Sequence, residues 1–333
     1  AEESVAIESK LVALAAWMKE SYGGTMIQAL KTVLPIKKKE KAKEKQKVRL
    51  LLPEAEGKET LELYLRKNQK ARARLLAALL DQPEQDYDFL IKHFYTVHSS
   101  TTARREEMDA AVLTGMDLSM KKDPSVPQIL IYHTHSQETY ADYPENPEAD
   151  VIHLGEELAV LLRERGYNVF HDESVYDYRD GKLDRSAAYT YALDGITGLL
   201  QKYPSIEVVL DIHRDGVADG TRLVTELGGS EMAKLMFFNG TSMSPDGPIE
   251  YLPNPNLREN LAFSFQMQLL ADGKYPGLMR KIYLKGLRYN EHVRARSALI
   301  EVGAQTNTYA EAKAAMEPLA DILDLVLDHG QGD

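Results

Sequence analysis

The stretch IEVVLDIHRD, residues 206–215, decides the fold, because an apolar β-branched run leads directly into His213, Arg214 and Asp215. Such a run is typical of a parallel strand that is buried on both faces and delivers functional residues at its C-terminal end. Two other stretches share this design, QILIYHTH at 128–135 and ALIEVG at 298–303. Since the C-terminal ends of parallel strands meet at one rim, we expect all three to place polar residues there.

Other segments extend the same α/β pattern. Apolar or β-branched runs recur at 168–172, 222–227, 234–238 and 281–287. Helical spacing separates them, in segments whose ends carry cap candidates such as Gly166, Asp184 and Ser186. The predicted helices cover 153–166, 184–204, 254–270 and 307–328. Strands alternating with helices predict a twisted, mostly parallel sheet with helices on both faces.

The charge and composition divide the chain into two regions. The net charge of −11 is the sum of +3 for residues 1–125 and −14 for residues 126–333. The acidic region is unsuited to nucleic acid, whose phosphates supply most of the binding affinity. The absence of cysteine excludes disulfides, thiolate metal sites and cysteine nucleophiles. Any metal must therefore be held by His, Asp or Glu.

The N-terminal part predicts a variable helical and charged region over 1–85, ahead of a catalytic domain over 86–333. Helix-like spacing occurs at 3–34 and 58–81, and the basic run KKKEKAKEKQK at 37–47 fits a solvated helix face or a contact with an anionic surface. No run of 18 apolar residues is present, and the first residue is Ala. We expect a processed chain whose export signal or membrane anchor is absent from this sequence.

His135, Glu138 and His213 form a candidate zinc site. A catalytic zinc needs three protein ligands and an open position for water, and two histidines with one carboxylate meet that need. Glu301 suits a general base for that water, or a fourth ligand that would close the site. His133, two residues before His135, is predicted to project to the same side as a supporting or alternative ligand. Glu148 and Asp150 are rival carboxylates.

Further candidates surround this set. Arg214 fits a substrate carboxylate or a developing oxyanion, and Asp215 fits an orienting partner for a ligand histidine, although an Arg–Asp surface pair explains both equally well. The loop VYDYRDGKLDRS at 175–186 offers Tyr176, Tyr178 and Arg185 as a lining for a polar polymer. A histidine at a strand end is usually only hydrogen-bonded structure. Three such strand ends together favour a metal site.

Five segments in order resemble stage II sporulation protein P, a family of the zinc N-acetylmuramoyl-L-alanine amidase superfamily. They are IYHTHSQETY, VVLDIHRDG, YDYRDGKLDRS, LPNPNLRENLAFSFQMQL and YNEHVRARSALIEVGAQTNTYAEA, and the resemblance covers roughly residues 90–325. It implies a zinc amidase-like fold and Zn2+ held by His135, Glu138 and His213, with Glu301 as the catalytic glutamate. Typical cell-wall amidases place the carboxylate ligand near the position of Glu148.

The resemblance also implies a place and a reaction. Members remove stem peptides from peptidoglycan glycan strands during sporulation engulfment, at the septal membrane outside the cytoplasm, alongside the glycan-cleaving sporulation protein D. The implied reaction is attack of zinc-bound hydroxide on the amide, with Glu301 as base. Two alternatives stay open: a zinc carboxypeptidase or endopeptidase acting on wall peptides, and a non-catalytic wall-binding scaffold.

Overall fold

The computed structural model describes residues 47–49 and 84–328. The predicted helices at 3–34 and 58–81 lie outside the described residues, as does the basic run apart from Lys47. The predicted boundary between 1–85 and 86–333 stays a prediction. Within the described residues, no helix combines the length and apolarity needed to cross a bilayer.

A seven-stranded sheet forms the centre of the molecule, with the strand order β1-β6-β5-β7-β4-β2-β3. In chain order its strands are β1 Tyr95–Val97, β2 Ile129–Tyr132, β3 Val169–His171, β4 Val208–Asp215, β5 Leu235–Gly240, β6 Ile282–Lys285 and β7 Arg296–Ala304. All three strands that decided the fold prediction are adjacent, as β7, β4 and β2. The mixed α/β class with a mostly parallel sheet is therefore confirmed.

One pairing departs from the parallel pattern. β5 runs antiparallel to β7, whereas the other five pairings are parallel. The sheet thus consists of two parallel blocks that point in opposite directions. At the edge where β7, β4 and β2 end, β5 and β6 begin.

Helices cover both faces of the sheet. They are α1 Tyr87–Phe94, α2 Ala110–Gly115, α3 Val151–Glu164, α4 Ala188–Lys202, α5 Leu257–Lys274, α6 Tyr309–Ala314 and α7 Met316–Leu327. The main core joins one sheet face, through Ile131 and Leu210, to α3, α5 and α7. On the other face α4 packs through Ile196 on Leu130 and Val209. The sheet is consequently the middle of three layers at β2 and β4.

The predicted helix ends are found at α3 but not at α4, which begins after Ala187 without a side-chain cap, while Asp184 accepts the amide of Ala187 at 3.1 Å. Asp150 caps α3 by accepting the amide of His153 at 2.8 Å, and Gly166 follows its end with a φ of +93°. The single helix predicted over 307–328 is two helices, because Pro318 has no N–H for the carbonyl of Ala314. Residues 224–227 lie outside the central sheet and pair with Ser230–Ala233 as a hairpin.

Candidate metal centre

The turn after β2 carries the first two candidate ligands, and buried carboxylates hold it in place. Asp211 on β4 accepts the amide of Thr134 at 2.9 Å and its hydroxyl at 2.6 Å. Asp177 accepts the hydroxyl of Ser136 at 2.7 Å. The turn is thus tied both to the neighbouring strand and to the loop before α4, which fixes its approach to the sheet rim.

His135, Glu138 and His213 converge on one point at this rim. Nδ1 of His135 lies 3.6 Å from Oε1 of Glu138, and Nδ1 of His213 lies 3.4 Å from Oε2. Potential ligand atoms of all three side chains lie within 4.8 Å of one another. The side chains of Glu138 and His213 are only 4% and 3% exposed, whereas that of His135 is 17% exposed. The cluster is buried and opens to solvent on the His135 side.

The spacing of these atoms fits a zinc ion. With Zn–N and Zn–O bonds of about 2.0–2.2 Å, two ligand atoms of a tetrahedral site lie about 3.3–3.5 Å apart. The 3.6 Å from Nδ1 of His135 to Oε1 of Glu138 and the 3.4 Å from Nδ1 of His213 to Oε2 are close to that separation, with one histidine on each carboxylate oxygen. The other ring nitrogen of His135, Nε2, is buried without a hydrogen-bond partner and is the second potential ligand atom of this side chain. The geometry and the donor types both suit Zn2+.

Asp211 lies behind His213, on the side away from Glu138. Its Oδ1 is 2.8 Å from Nε2 of His213, close enough for a strong charge interaction although the pair is not aligned as a hydrogen bond. A carboxylate at the far nitrogen of a ligand histidine fixes the ring and increases its basicity. Burial lowers the pKa of His213, but Asp211 and Glu138 outweigh it and raise that pKa well above the ordinary value.

Glu138 is held as a carboxylate. Burial raises its pKa, but contacts from His135 and His213 and the charge of Arg214 lower it further than burial raises it, so the pKa lies below its usual range. Its Oε2 accepts the backbone amide of Arg214 at 3.1 Å, and its Oε1 accepts from Arg185 at 3.3 Å. The ionised form is the one that a metal requires.

Glu301 lies beside His213, because β7 and β4 place these two residues in register. Its Oε2 is buried and has no hydrogen-bond partner. Burial raises the pKa of Glu301 to about 8. The charge of His213 opposes this increase, and the charge of Glu138 adds to it. A carboxyl with an unpaired oxygen and a pKa near neutrality has the properties of a general base.

Arg214 and Arg185, two residues predicted from the sequence, both contact the ligand turn. The guanidinium of Arg214 donates to the carbonyl of Thr139 at 3.1 Å and to that of Asp215 at 3.3 Å. Arg185, whose side chain is 42% exposed, lies against Glu138 at the mouth of the site. Arg214 thus braces the turn, and Arg185 covers Glu138 from the solvent side.

His133 does not share a side with His135, so that prediction is wrong. β2 ends at Tyr132, and the alternation of side chains does not continue into the turn. Nε2 of His133 instead lies 2.9 Å from Nε2 of His171 on the α3 side, where Nδ1 of His171 contacts Glu156 at 2.9 Å. Burial, with the charge of His171, lowers the pKa of His133 to about 3, and the ring is neutral.

Other predicted residues lie apart from the ligands. Tyr176 is 6% exposed, and its hydroxyl donates to Asp172 at 2.6 Å, so it belongs to the core under α4 and does not line a groove. Tyr178 is 48% exposed in a short hairpin. Asp215 was predicted to orient a ligand histidine, but it accepts a hydrogen bond from Arg280 at 2.6 Å. The carboxylate beside His213 is that of Asp211. Glu148 is exposed and outside the cluster.

Three residues of the site were missed by the sequence prediction. Asp211 precedes His213 by two positions and so shares its side of the strand, which was the available signal. Tyr189 on α4 packs its ring edge-on against His135, with 5.4 Å between centroids. Arg280 reaches the rim only because β6 begins there, and nothing local in the sequence indicates that.

These features define an α/β protein with a two-histidine, one-glutamate candidate metal centre at the rim of its sheet. The sequence matches the model of the family "Stage II sporulation protein P (SpoIIP)" over residues 10–324, and the chain belongs to that family. A curated relative, stage II sporulation protein P of Bacillus subtilis (strain 168), is 23% identical over 210 residues. That match covers 58% of this chain and 49% of the relative, so the chain spans about half of the relative's length.

Solved structures with a similar arrangement include two amidases. The catalytic domain of CwlV, an N-acetylmuramoyl-L-alanine amidase from Bacillus (Paenibacillus) polymyxa var. colistinus, gives a TM-score of 0.37 at 12% identity, over 60% of this chain and 94% of that one. The CwlD amidase from Clostridioides difficile, in complex with the GerS lipoprotein, gives a TM-score of 0.35 at 13% identity. The match covers 60% of this chain and 99% of that one.

Proposed function

We propose that this protein is a zinc-dependent N-acetylmuramoyl-L-alanine amidase that removes stem peptides from peptidoglycan during sporulation. The observation that carries the proposal is the His135–Glu138–His213 cluster with the unpaired Oε2 of Glu301 in the adjacent register position. Membership of the sporulation protein P family supports the setting. The cluster supplies the ligands, and Glu301 supplies a base that a purely binding site would not need.

Zinc bound by His135, Glu138 and His213 would polarise the amide carbonyl and lower the pKa of a water molecule, so that hydroxide would be available to attack the carbonyl near neutral pH. The protein's own groups carry the protons. Glu301 accepts a proton on the attacking side and returns it to the nitrogen of the departing alanine. Asp211 holds the ring of His213, and Arg214 holds the turn with Glu138, so the ligands keep their positions through turnover.

The test measures zinc content and products together. Purified peptidoglycan is digested with the zinc-loaded native chain and with Glu301→Gln, and the released material is identified by mass. We expect whole stem peptides with a free alanine amine from the native chain. Glu301→Gln should keep its zinc and lose about 10²-fold or more in rate, the range typical for a general base.

Other results would assign a different function. Release of single terminal residues would indicate a carboxypeptidase, and release of cross-bridge fragments an endopeptidase. A native chain without zinc that releases nothing, even beside a glycan-cleaving enzyme, would contradict the proposal and favour a wall-binding scaffold. Loss of zinc in Glu301→Gln would make this residue a ligand. Glu226→Gln, at an exposed hairpin position, is the matched control.

The proposal includes a location and partners. Peptidoglycan lies outside the cytoplasm, so the reaction requires an extracytoplasmic chain. A glycan-cleaving partner of the sporulation protein D type remains a prediction of the sequence. Adding a glycan-cleaving enzyme to the digestion tests it, since shortened glycan should raise the yield of released peptide.

A further inference from the structure

A cleft next to Glu301 is formed by the sheet face itself. The register pairs Met236 with Glu301 and Phe238 with Tyr283, so these side chains lie on the same face as Glu301 and His213. Along β6 the buried Ile282 and Leu284 point to the opposite face. Lys281, Tyr283 and Lys285, at alternate positions, therefore point into the cleft.

α4 packs on this face only at the end occupied by β2, β3 and β4. Over β5 and β6 the face lines a cavity of about 480 Å³. Its lining consists of Thr96, Asp215, Met236, Phe238, Arg280, Lys281, Tyr283, Lys285 and Glu301. The general base proposed for the amide reaction is thus one wall of a cleft large enough for several residues of peptide.

The cleft carries more cations than carboxylates within an acidic region, since its lining has Arg280, Lys281 and Lys285 against Asp215 and Glu301. Residues 126–333 carry a net charge of −14, yet the segment RKIYLKGLR at 280–288 has four cations and no carboxylate. Arg280 is bound to Asp215, which fixes its guanidinium beside the rim. Lys281 donates to the carbonyl of Lys92 at 2.5 Å, and Nζ of Lys285 is 5.8 Å from the centre of the Tyr289 ring.

Neither lysine forms an ion pair with a carboxylate of the part of the chain that the structure describes. Some lysines elsewhere in the molecule do have such partners, as Lys313 has Glu157 and Lys274 has Asp321. Two lysines left without an acidic partner, on the open face beside Glu301, provide positive charge for an anionic ligand.

We propose that this cleft binds the free carboxylates of the stem peptide and so positions the peptide half of the substrate, an inference that rests on the proposed amidase function. The amide to be cut joins an uncharged sugar unit to a peptide that carries several carboxylates. Only the peptide half is complementary to Lys281 and Lys285. The peptide therefore extends over β5 and β6, and the sugar lies on the opposite side of the zinc ligands, towards Tyr189.

The test compares two substrates of the zinc-loaded chain. One is a muropeptide with free stem carboxylates, and the other is the same muropeptide with those carboxylates amidated. The native chain should prefer the free form in kcat/KM, and Lys281→Gln/Lys285→Gln should bring the ratio of the two values towards one. The expected fall is about tenfold, since each partly exposed charge contact contributes a modest factor. It should arise in KM.

A matched control removes the same charge elsewhere. Lys202→Gln/Lys313→Gln alters exposed lysines on helices α4 and α6 and should leave the ratio as in the native chain. An unchanged ratio in the Lys281/Lys285 variant would overturn the inference. If that variant with its unchanged ratio also lost binding to an anionic wall polymer, the two lysines would be assigned to the phosphates of that polymer instead. Failure of the proposed function shows separately, as no cleavage of either substrate by the native chain.

Discussion

Replacing Glu301 by glutamine should stabilise the metal-free protein while it slows the proposed reaction by about 10²-fold or more. Oε2 of this carboxyl is buried and unpaired, and burial raises the pKa of the group from 4.5 to about 8. Its protonated form therefore matches glutamine in charge and shape, and its ionised form is the costly one. A raised folded-state pKa gives stability that is complete below the unfolded value and is lost as pH rises towards the folded value.

The magnitude follows from that shift. Each unit of pKa difference corresponds to about 1.4 kcal/mol, so the wild-type protein should lose at most about 4 kcal/mol between pH 4 and pH 8 through this group, and only about 1 kcal/mol by pH 5. Glu301→Gln escapes this loss. Its free energy of unfolding should therefore exceed that of the wild type by a margin that grows with pH.

Urea unfolding of chelator-treated protein at pH 5 and pH 8 measures this margin. Glu226→Gln, at an exposed position, controls for the removal of one formal charge. An equal stability difference at both pH values, or a less stable Glu301→Gln at pH 8, would refute the raised pKa that the buried, unpaired Oε2 of Glu301 implies. The same variant should thus be more stable and less active than the wild type, which is the trade-off expected of a group that serves a reaction at the expense of stability.

The remaining predictions concern the surroundings of the ligands. Asp211→Asn should weaken zinc binding by about 10–100-fold, measured by chelator competition, because His213 loses its carboxylate partner; Asp215→Asn should keep the native affinity. Gly155→Ala should destabilise the protein by about 2 kcal/mol in urea unfolding, since the new Cβ would lie 2.6 Å from the ring of His133. Gly198→Ala has open space and should gain up to about 1 kcal/mol, so a stabilising Gly155→Ala would contradict the packing described. Zinc binding near neutral pH should release a proton from His213, whose pKa is raised, and calorimetry in buffers of different ionisation enthalpy should detect it.

The pattern of apolar residues in the sequence was sufficient to predict the strands that carry the site. β2, β4 and β7 each contain a short apolar run, ILIY, VVL and ALI, and a strand buried on both faces requires such a run whatever its neighbours are. The prediction that their C-terminal ends meet followed from parallel pairing. His135, Glu138, His213 and Glu301 were grouped on that basis, and the structure places the first three in one cluster with Glu301 in register beside His213.

The direction of a side chain at the end of a strand could not be predicted from the sequence. His133 and His135 are two residues apart and look equivalent, but the strand stops at Tyr132 and the turn sends them to different sides. Tyr176 looks like a surface aromatic in a polar loop, yet α4 covers it at Gly195, where a Cβ would lie 2.3 Å from its hydroxyl. Both outcomes depend on elements that pack from elsewhere in the chain.

The sequence by itself determined the fold class, the residue types of the candidate metal centre and the rim where they meet, since composition and period are local properties. Only the tertiary structure decided that β5 runs antiparallel to β7, which brings the beginning of β6 to the same rim. That reversal carries Arg280 to Asp215 and sets Lys281 beside Glu301. Strand direction depends on which partner completes the sheet's hydrogen bonds, and no local stretch of sequence encodes that choice.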